Sequence, residues 1–224
     1  MTQTKTPSPR PRTLGAVLYP DFELLDYYGP LEMFGSTGMG LKIVTLAEQP
    51  GPVRSVQGPS TVAEFGFDTA PPLDLVLLPG GIGTVPQLEN PAMLAFLRAQ
   101  AARAELVMSV CSGSALLAKA GLLDGRRATS NKLFFSLATA QSNKVDWVTH
   151  ARWVEDDRFV TSSGVSAGID MALAVIARLY GRGHAEQVAR MTEYEWQADA
   201  GRDPFSQYLN EGRMDEYLVA IGRA

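Results

Sequence analysis

Cysteine is nearly absent from this chain of 224 residues, with Cys111 the single one. One thiol closes no disulfide within the chain and builds no thiolate metal cluster, and such scarcity points to a reducing compartment, the cytoplasm. Histidine is almost as rare. His150 and His184 are remote from each other, and without HExxH spacing they form no recognisable metal shell. Positive charge is in slight deficit, 20 Lys and Arg against 24 Asp and Glu for a net charge of −4, so no broad nucleic-acid surface is expected. Nor does any apolar run approach the roughly 20 residues that cross a bilayer. Ala101 to Leu122 is interrupted by Arg103, Glu105 and Lys119.

What is plentiful is core material. Hydrophobic residues make up 46% of the chain, enough to build one compact α/β domain over residues 13–224. Residues 1–12 are rich in Pro, Ser and Thr and carry Lys5, Arg10 and Arg12, which predicts a flexible leader. Leu14 to Leu18 reads as a strand, Phe22 to Phe34 as a helix and Leu41 to Leu46 as a second strand. Leu73 to Leu78 is a dense apolar run closed by Pro79-Gly80-Gly81, the pattern of a strand covered on both faces. Asn90 caps a helix predicted over Pro91 to Ala104, and Leu106 to Val110 is another buried strand. A further helix starts directly after Cys111 and stops near Gly121. Val145 to Val154 and Phe159 to Ser162 follow as strands, then helices over Gly168 to Tyr180 and about Ala185 to Gln197. The sum is a single flavodoxin-like sandwich, a mostly parallel sheet between helices.

Three places carry chemistry. Cys111 stands at a strand-to-helix elbow, where the side chain projects over the sheet edge and helix N–H groups favour a thiolate; the alternative is an inert buried cysteine. Its position outside the carboxyl end of a central strand is where ligand sites of open α/β sheets gather. Gly80, Gly81 and Ile82 form a second turn at that edge, either an oxyanion or substrate cradle or simply a tight turn; the spacing is no dinucleotide fingerprint, because position 85 is valine. Asp26 lies in the apolar Leu24-Leu25-Asp26-Tyr27-Tyr28, either as a proton carrier with a pKa raised by burial or as a helix-start cap. Glu23 and Glu32 sit in less apolar surroundings. Tyr27 and Tyr28 line a pocket or pack in the core. Neither histidine follows a sheet-end turn beside the elbow.

Together Leu25-Asp26-Tyr27-Tyr28-Gly29-Pro30, Leu78-Pro79-Gly80-Gly81, Val110-Cys111-Ser112-Gly113 and Ser163 to Asp170 resemble the DJ-1/PfpI superfamily over about Leu14 to Tyr194. Within it the chain resembles the isonitrile (isocyanide) hydratase branch. The resemblance implies Cys111 as nucleophile, Asp26 as its acidic partner, Gly81 and Ser112 beside the adduct, and no cofactor. It also implies a homodimer acting on a small molecule. Two departures stand out: Ser112 replaces the usual threonine, and Asn131 stands where relatives commonly have histidine, which argues against a Cys-His triad. The superfamily also holds glyoxalase-like and hydrolase-like enzymes and cysteine-based sensors on nearly the same scaffold, and these are the competing readings. A DNA-binding regulator is less expected, since the segment after Tyr194 shows no two-helix DNA-binding unit.

Overall fold

The computed structural model describes residues 10–220 and Gly222. The first nine residues of the expected leader lie outside the described residues. Arg12, its last residue, is already in strand β1 (Arg12–Val17). Arg10 and Arg12 both bind Glu105, at 3.0 and 2.9 Å, and Arg10 also holds Asp74 at 2.6 Å.

Helix α1 (Leu24–Gly35), strand β2 (Leu41–Ala47) and the hairpin β3 (Gly51–Arg54) with β4 (Ser60–Ala63) come next. After them come β5 (Phe65–Gly66), β6 (Leu75–Leu78), the turn-length helix α2 (Thr84–Gln87), α3 (Pro91–Ala101), β7 (Leu106–Ser109) and α4 (Gly113–Lys119). The chain continues through β8 (Arg127–Ala128), α5 (Phe135–Thr139), β9 (Asp146–Trp147), β10 (Trp153–Asp156), β11 (Phe159–Ser162), α6 (Ala167–Tyr180), α7 (Arg182–Met191) and α8 (Met214–Ala220).

Seven strands make the main sheet in the order β10-β11-β7-β6-β1-β2-β5, parallel except for β10. Every residue of β6 and β7 is buried. Side chains alternate between faces along a strand, so Leu75 and Leu77 join the core that holds Phe34, Met171 and Ile176 of α1 and α6. Val76 and Leu78 join the opposite core with Met93, Leu97 and Leu116 of α3 and α4. Each such side chain stabilises the fold by roughly 1.5–3 kcal/mol on burial.

This arrangement is the covered parallel sheet expected from the sequence. Its register matters for function. Leu78 pairs with Ser109 and Thr161 also pairs with Ser109, so β6, β7 and β11 deliver their following turns to one edge.

Several boundaries differ from expectation. The expected strand over Val145 to Val154 divides into β9 and β10, with turns between. The helix expected to reach Gln197 stops at Met191, because the Thr192 hydroxyl bonds back to the Val188 carbonyl at 3.0 Å and Glu193 turns to φ +50°. α3 has its Asn90 cap, which accepts from the Ala92 and Met93 N–H groups, and it ends at Ala101.

Candidate active site

Cys111 adopts φ +57°, a left-handed conformation unusual for a residue with a side chain. Two backbone anchors define it: its N–H donates to the Ser162 and Ser163 carbonyls, each at 3.2 Å, and its own carbonyl accepts from Ser114 and Ser130 hydroxyls, each at 3.1 Å. The elbow is therefore clamped between β11 and the loop after β8. Strain of this kind persists where the surroundings over-determine the backbone.

The Gly80-Gly81 turn closes against the elbow and the start of α1. A Cβ at Gly80 would lie 2.6 Å from Ser112 N and 2.9 Å from Asp26 Oδ2; one at Gly81, where φ is +125°, would lie 2.5 Å from the Asp21 carbonyl oxygen. Glycine is thus required by close approach. The N–H groups of this turn are committed elsewhere than to a substrate oxyanion. Gly80 N–H donates to Asp26 Oδ2 at 2.8 Å, and Gly81 N–H to Ser112 Oγ at 3.1 Å. Ile82 and Gly81 nevertheless line the cavity over the sulfur.

Asp26 is fully buried, and it does not cap its helix; Glu23 occupies the N-cap position. Oδ2 is satisfied by Gly80, whereas Oδ1 makes no conventional hydrogen bond. Burial drives its pKa well above the carboxylate range; the Gly80 N–H opposes this, the nearby Glu23 carboxyl adds to it, and the Cys111 thiol, as a hydrogen-bonding neighbour, lowers it. The sulfur is pushed up as well, first by burial and then by Asp26. Among the described residues the Ser112 N–H and the Asn131 side chain act against that rise and no cation does, so the surroundings of Cys111 favour the thiol over the expected dipole-stabilised thiolate.

Asn131 stands where a histidine would complete a triad. Its Oδ1 accepts the Phe134 N–H at 3.0 Å, which leaves the amide NH₂ as the group that faces sulfur. Neither histidine reaches the site. His184 Nε2 contacts the Thr37 carbonyl at 2.8 Å, and His150 is exposed in a turn.

The Ser112 hydroxyl points into a wall of hydroxyl groups, 2.9 Å from Thr84 Oγ1, which lies 3.0 Å from the Tyr19 hydroxyl; Tyr19 donates to the Pro79 carbonyl at 2.6 Å. Thr84 and Tyr19 escape sequence reasoning because only the fold joins them to the elbow. Tyr27 packs edge-on against Phe22 and Tyr28, and Tyr28 bonds Thr61. Neither tyrosine lines the cavity over Cys111.

That cavity measures about 150 Å³. Its wall is apolar apart from Glu23, Ser112, Asn131 and the Tyr217 hydroxyl, and the late segment supplies Met214 and Tyr217. Tyr194 and Trp196, earlier in the same part of the chain, do not line it but are bound to Asp170, through the Tyr194 hydroxyl to Oδ1 at 3.1 Å and the Trp196 N–H to the carbonyl at 3.2 Å. No group of three or more His, Cys, Asp or Glu side chains suited to a metal occurs among the described residues.

The family model for the DJ-1/PfpI family matches residues 15–178. The chain belongs to the DJ-1/PfpI family. Among its relatives, isonitrile hydratase of Pseudomonas putida is 35% identical over 81% of this chain and 78% of that protein. HTH-type transcriptional regulator GbdR of Pseudomonas aeruginosa is 30% identical over 96% of this chain, which spans 60% of the regulator. A solved ThiJ/PfpI family protein from Pseudomonas syringae superposes with a TM-score of 0.78 at 33% identity, covering 97% of this chain and 87% of that one. The DJ-1/PfpI family thus includes both an enzyme and a regulator at comparable distance from this chain.

Proposed function

We propose that the protein is a cysteine-dependent isonitrile hydratase, adding water to R–NC to give an N-substituted formamide. The observation that carries this reading is the pairing of the Cys111 sulfur with a fully buried carboxyl, Asp26, whose Oδ1 has no conventional partner. Addition to an isocyanide places proton and nucleophile on the same terminal carbon. A carbonyl needs them on different atoms. A proton donor beside the attacking sulfur therefore suits the isocyanide, whereas a carbonyl substrate calls for an oxyanion donor one bond away, and the Gly80 and Gly81 N–H groups are already occupied.

In the first step sulfur bonds to the terminal carbon while the S–H proton passes through Asp26 to that carbon, giving the thioimidate R–N=CH–S–Cys111. Water then adds across the C=N bond. The resulting carbinol collapses as the C–S bond breaks, its hydroxyl proton returning to sulfur through Asp26. A carboxyl with a raised pKa both takes and gives protons in this sequence. These steps draw on side chains and water alone. The apolar cavity has the volume that accepts a benzene-sized guest, so R is small and uncharged.

Similarity to GbdR over nearly the whole chain favours one second reading, a sensor that binds the same small molecule without turnover. Formamide release measured over a panel of small isocyanides and 2-oxoaldehydes separates the readings. The hydratase releases formamide from isocyanides, and Cys111→Ser and Asp26→Asn each lower turnover at least 10²-fold. Unchanged activity in Cys111→Ser would reject the thiol mechanism, and binding without product would favour the sensor. Light scattering tests the accompanying proposal of a homodimer.

A further inference from the structure

Hydration of the thioimidate needs a proton at nitrogen, and Asp26 is fully buried beside the sulfur. Glu23 is the carboxyl that lines the cavity itself, whose wall among the described residues does not include Asp26. Its backbone is held by the turn that closes against the elbow: its N–H donates to the Gly80 carbonyl at 2.9 Å, against the turn at Gly81. Its carboxyl accepts from Gln57 Nε2 at 2.5 Å and takes a second hydrogen bond from the Tyr217 hydroxyl, which descends from α8 over the cavity. Among the described residues the ionisable groups facing it are Asp26, Cys111 and Tyr217, with no cation acting on it.

We infer that Glu23 is a second catalytic acid–base group, dedicated to the nitrogen of the thioimidate and to the hydrolytic water. The inference rests on the hydratase reading. Sulfur and the carbon-bound proton are handled by the buried Asp26; R–N extends into the cavity, whose wall includes Glu23. As water oxygen bonds to carbon, the Glu23 carboxyl gives its proton to nitrogen and takes one from the water. This forms R–NH–CH(OH)–S–Cys111 with Glu23 restored, after which collapse follows as before. Gln57 and Tyr217 position the carboxyl, and burial favours the protonated form that this step requires.

The test follows Cys111 by intact-protein mass spectrometry during rapid mixing with a small isocyanide that the wild type turns over. In Glu23→Gln the thioimidate should form at the wild-type rate and then accumulate, its hydrolysis slowed roughly 10²-fold. Adduct formation at the normal rate itself certifies an intact elbow. Turnover in Glu23→Gln equal to wild type with no accumulating adduct would overturn the role of Glu23 while leaving the hydratase reading in place. Slowing of adduct formation instead of hydrolysis would also overturn it. If the wild-type protein forms neither adduct nor formamide, the hydratase reading itself fails, and the inference goes with it.

Discussion

Asp26 combines a burial penalty with the proton-transfer role proposed for it, and these pull stability and activity apart. Its pKa in the folded protein is raised above the ordinary value of 3.8 because the ionised form is desolvated. The fold therefore holds the proton more tightly than the unfolded chain does. That contribution to stability is complete below pH 3.8 and is lost as the pH climbs through the raised native value. Cys111 is coupled to it, so the upper end of the window belongs to the pair. Asp26→Asn keeps an oxygen for the Gly80 N–H but never ionises. It should be more stable than wild type at pH 8 by about 1–3 kcal/mol, at roughly 2–4 °C per kcal/mol for a chain of this size. The advantage should vanish near pH 4, while turnover is lost at every pH. Thermal melts across that range check the sign. A variant less stable than wild type at pH 8 would mean that Asp26 is paired in a way that favours its charge.

At the scale of elements, the site is the meeting of two βα turns, and glycine at position 81 is what lets them meet. Alanine there would put a methyl group 2.5 Å from the Asp21 carbonyl and 2.6 Å from Glu23 N at φ +125°, against backbone atoms that cannot rotate away. Gly81→Ala should destabilise by about 2–4 kcal/mol and reduce turnover in parallel, because the shift moves Glu23 and the wall of the cavity. Denaturant melts and initial rates measured side by side distinguish this from Asp26→Asn, where the two quantities part. These turns were legible in the sequence because local signals agree there: a continuous apolar strand, Gly-Gly, then small residues opening a helix after Cys111. The β3–β4 hairpin was not legible, since Pro52 interrupts β3 and its Val53 is buried beside an exposed Arg54, in too short a strand for alternation to register. Asn131 was found only through resemblance. Thr84, Tyr217 and the hydroxyl chain at Ser112 were missed because their contacts cross 28 or more positions and no periodicity encodes them. The resting state of Cys111 was misjudged for a related reason. Local sequence shows the helix start that favours a thiolate, but not the burial and the neighbouring carboxyl that outweigh it.

Across the whole molecule, the cavity roof depends on how the chain after α7 is fastened to the sheet. Asp170, ion-paired to Arg152 at 2.6 Å, takes hydrogen bonds from Tyr194 and the Gln197 N–H. Further on, Asp203 meets Lys132 at 3.5 Å with both side chains buried, and Asn210 and Gly212 N–H groups donate to the Lys132 and Leu133 carbonyls at 2.8 and 3.0 Å. The loop that presents Asn131 to sulfur is thus the loop that holds the segment leading to Met214 and Tyr217. Burial brings the Lys132 pKa down to about 8, with Asp203 the main group holding it up. Asp203→Asn keeps the acceptor for the Phe205 N–H, now at 3.0 Å, but leaves the ammonium without its counterion. Loss of one member of such a pair costs about 3 kcal/mol where the other stays charged. Lys132 answers by releasing its proton at lower pH than in wild type. The penalty should therefore be largest on the acid side of about 8 and fade above it, where Lys132 is neutral in both proteins. A loosened roof should raise KM for a small isocyanide by up to about tenfold, equivalent to about 1.4 kcal/mol of binding. The rate of adduct formation at saturating substrate should stay unchanged, because neither Asp26 nor the elbow moves. Equal KM in the two proteins, or a penalty that grows above pH 8, would show that the late segment is held independently of this pair.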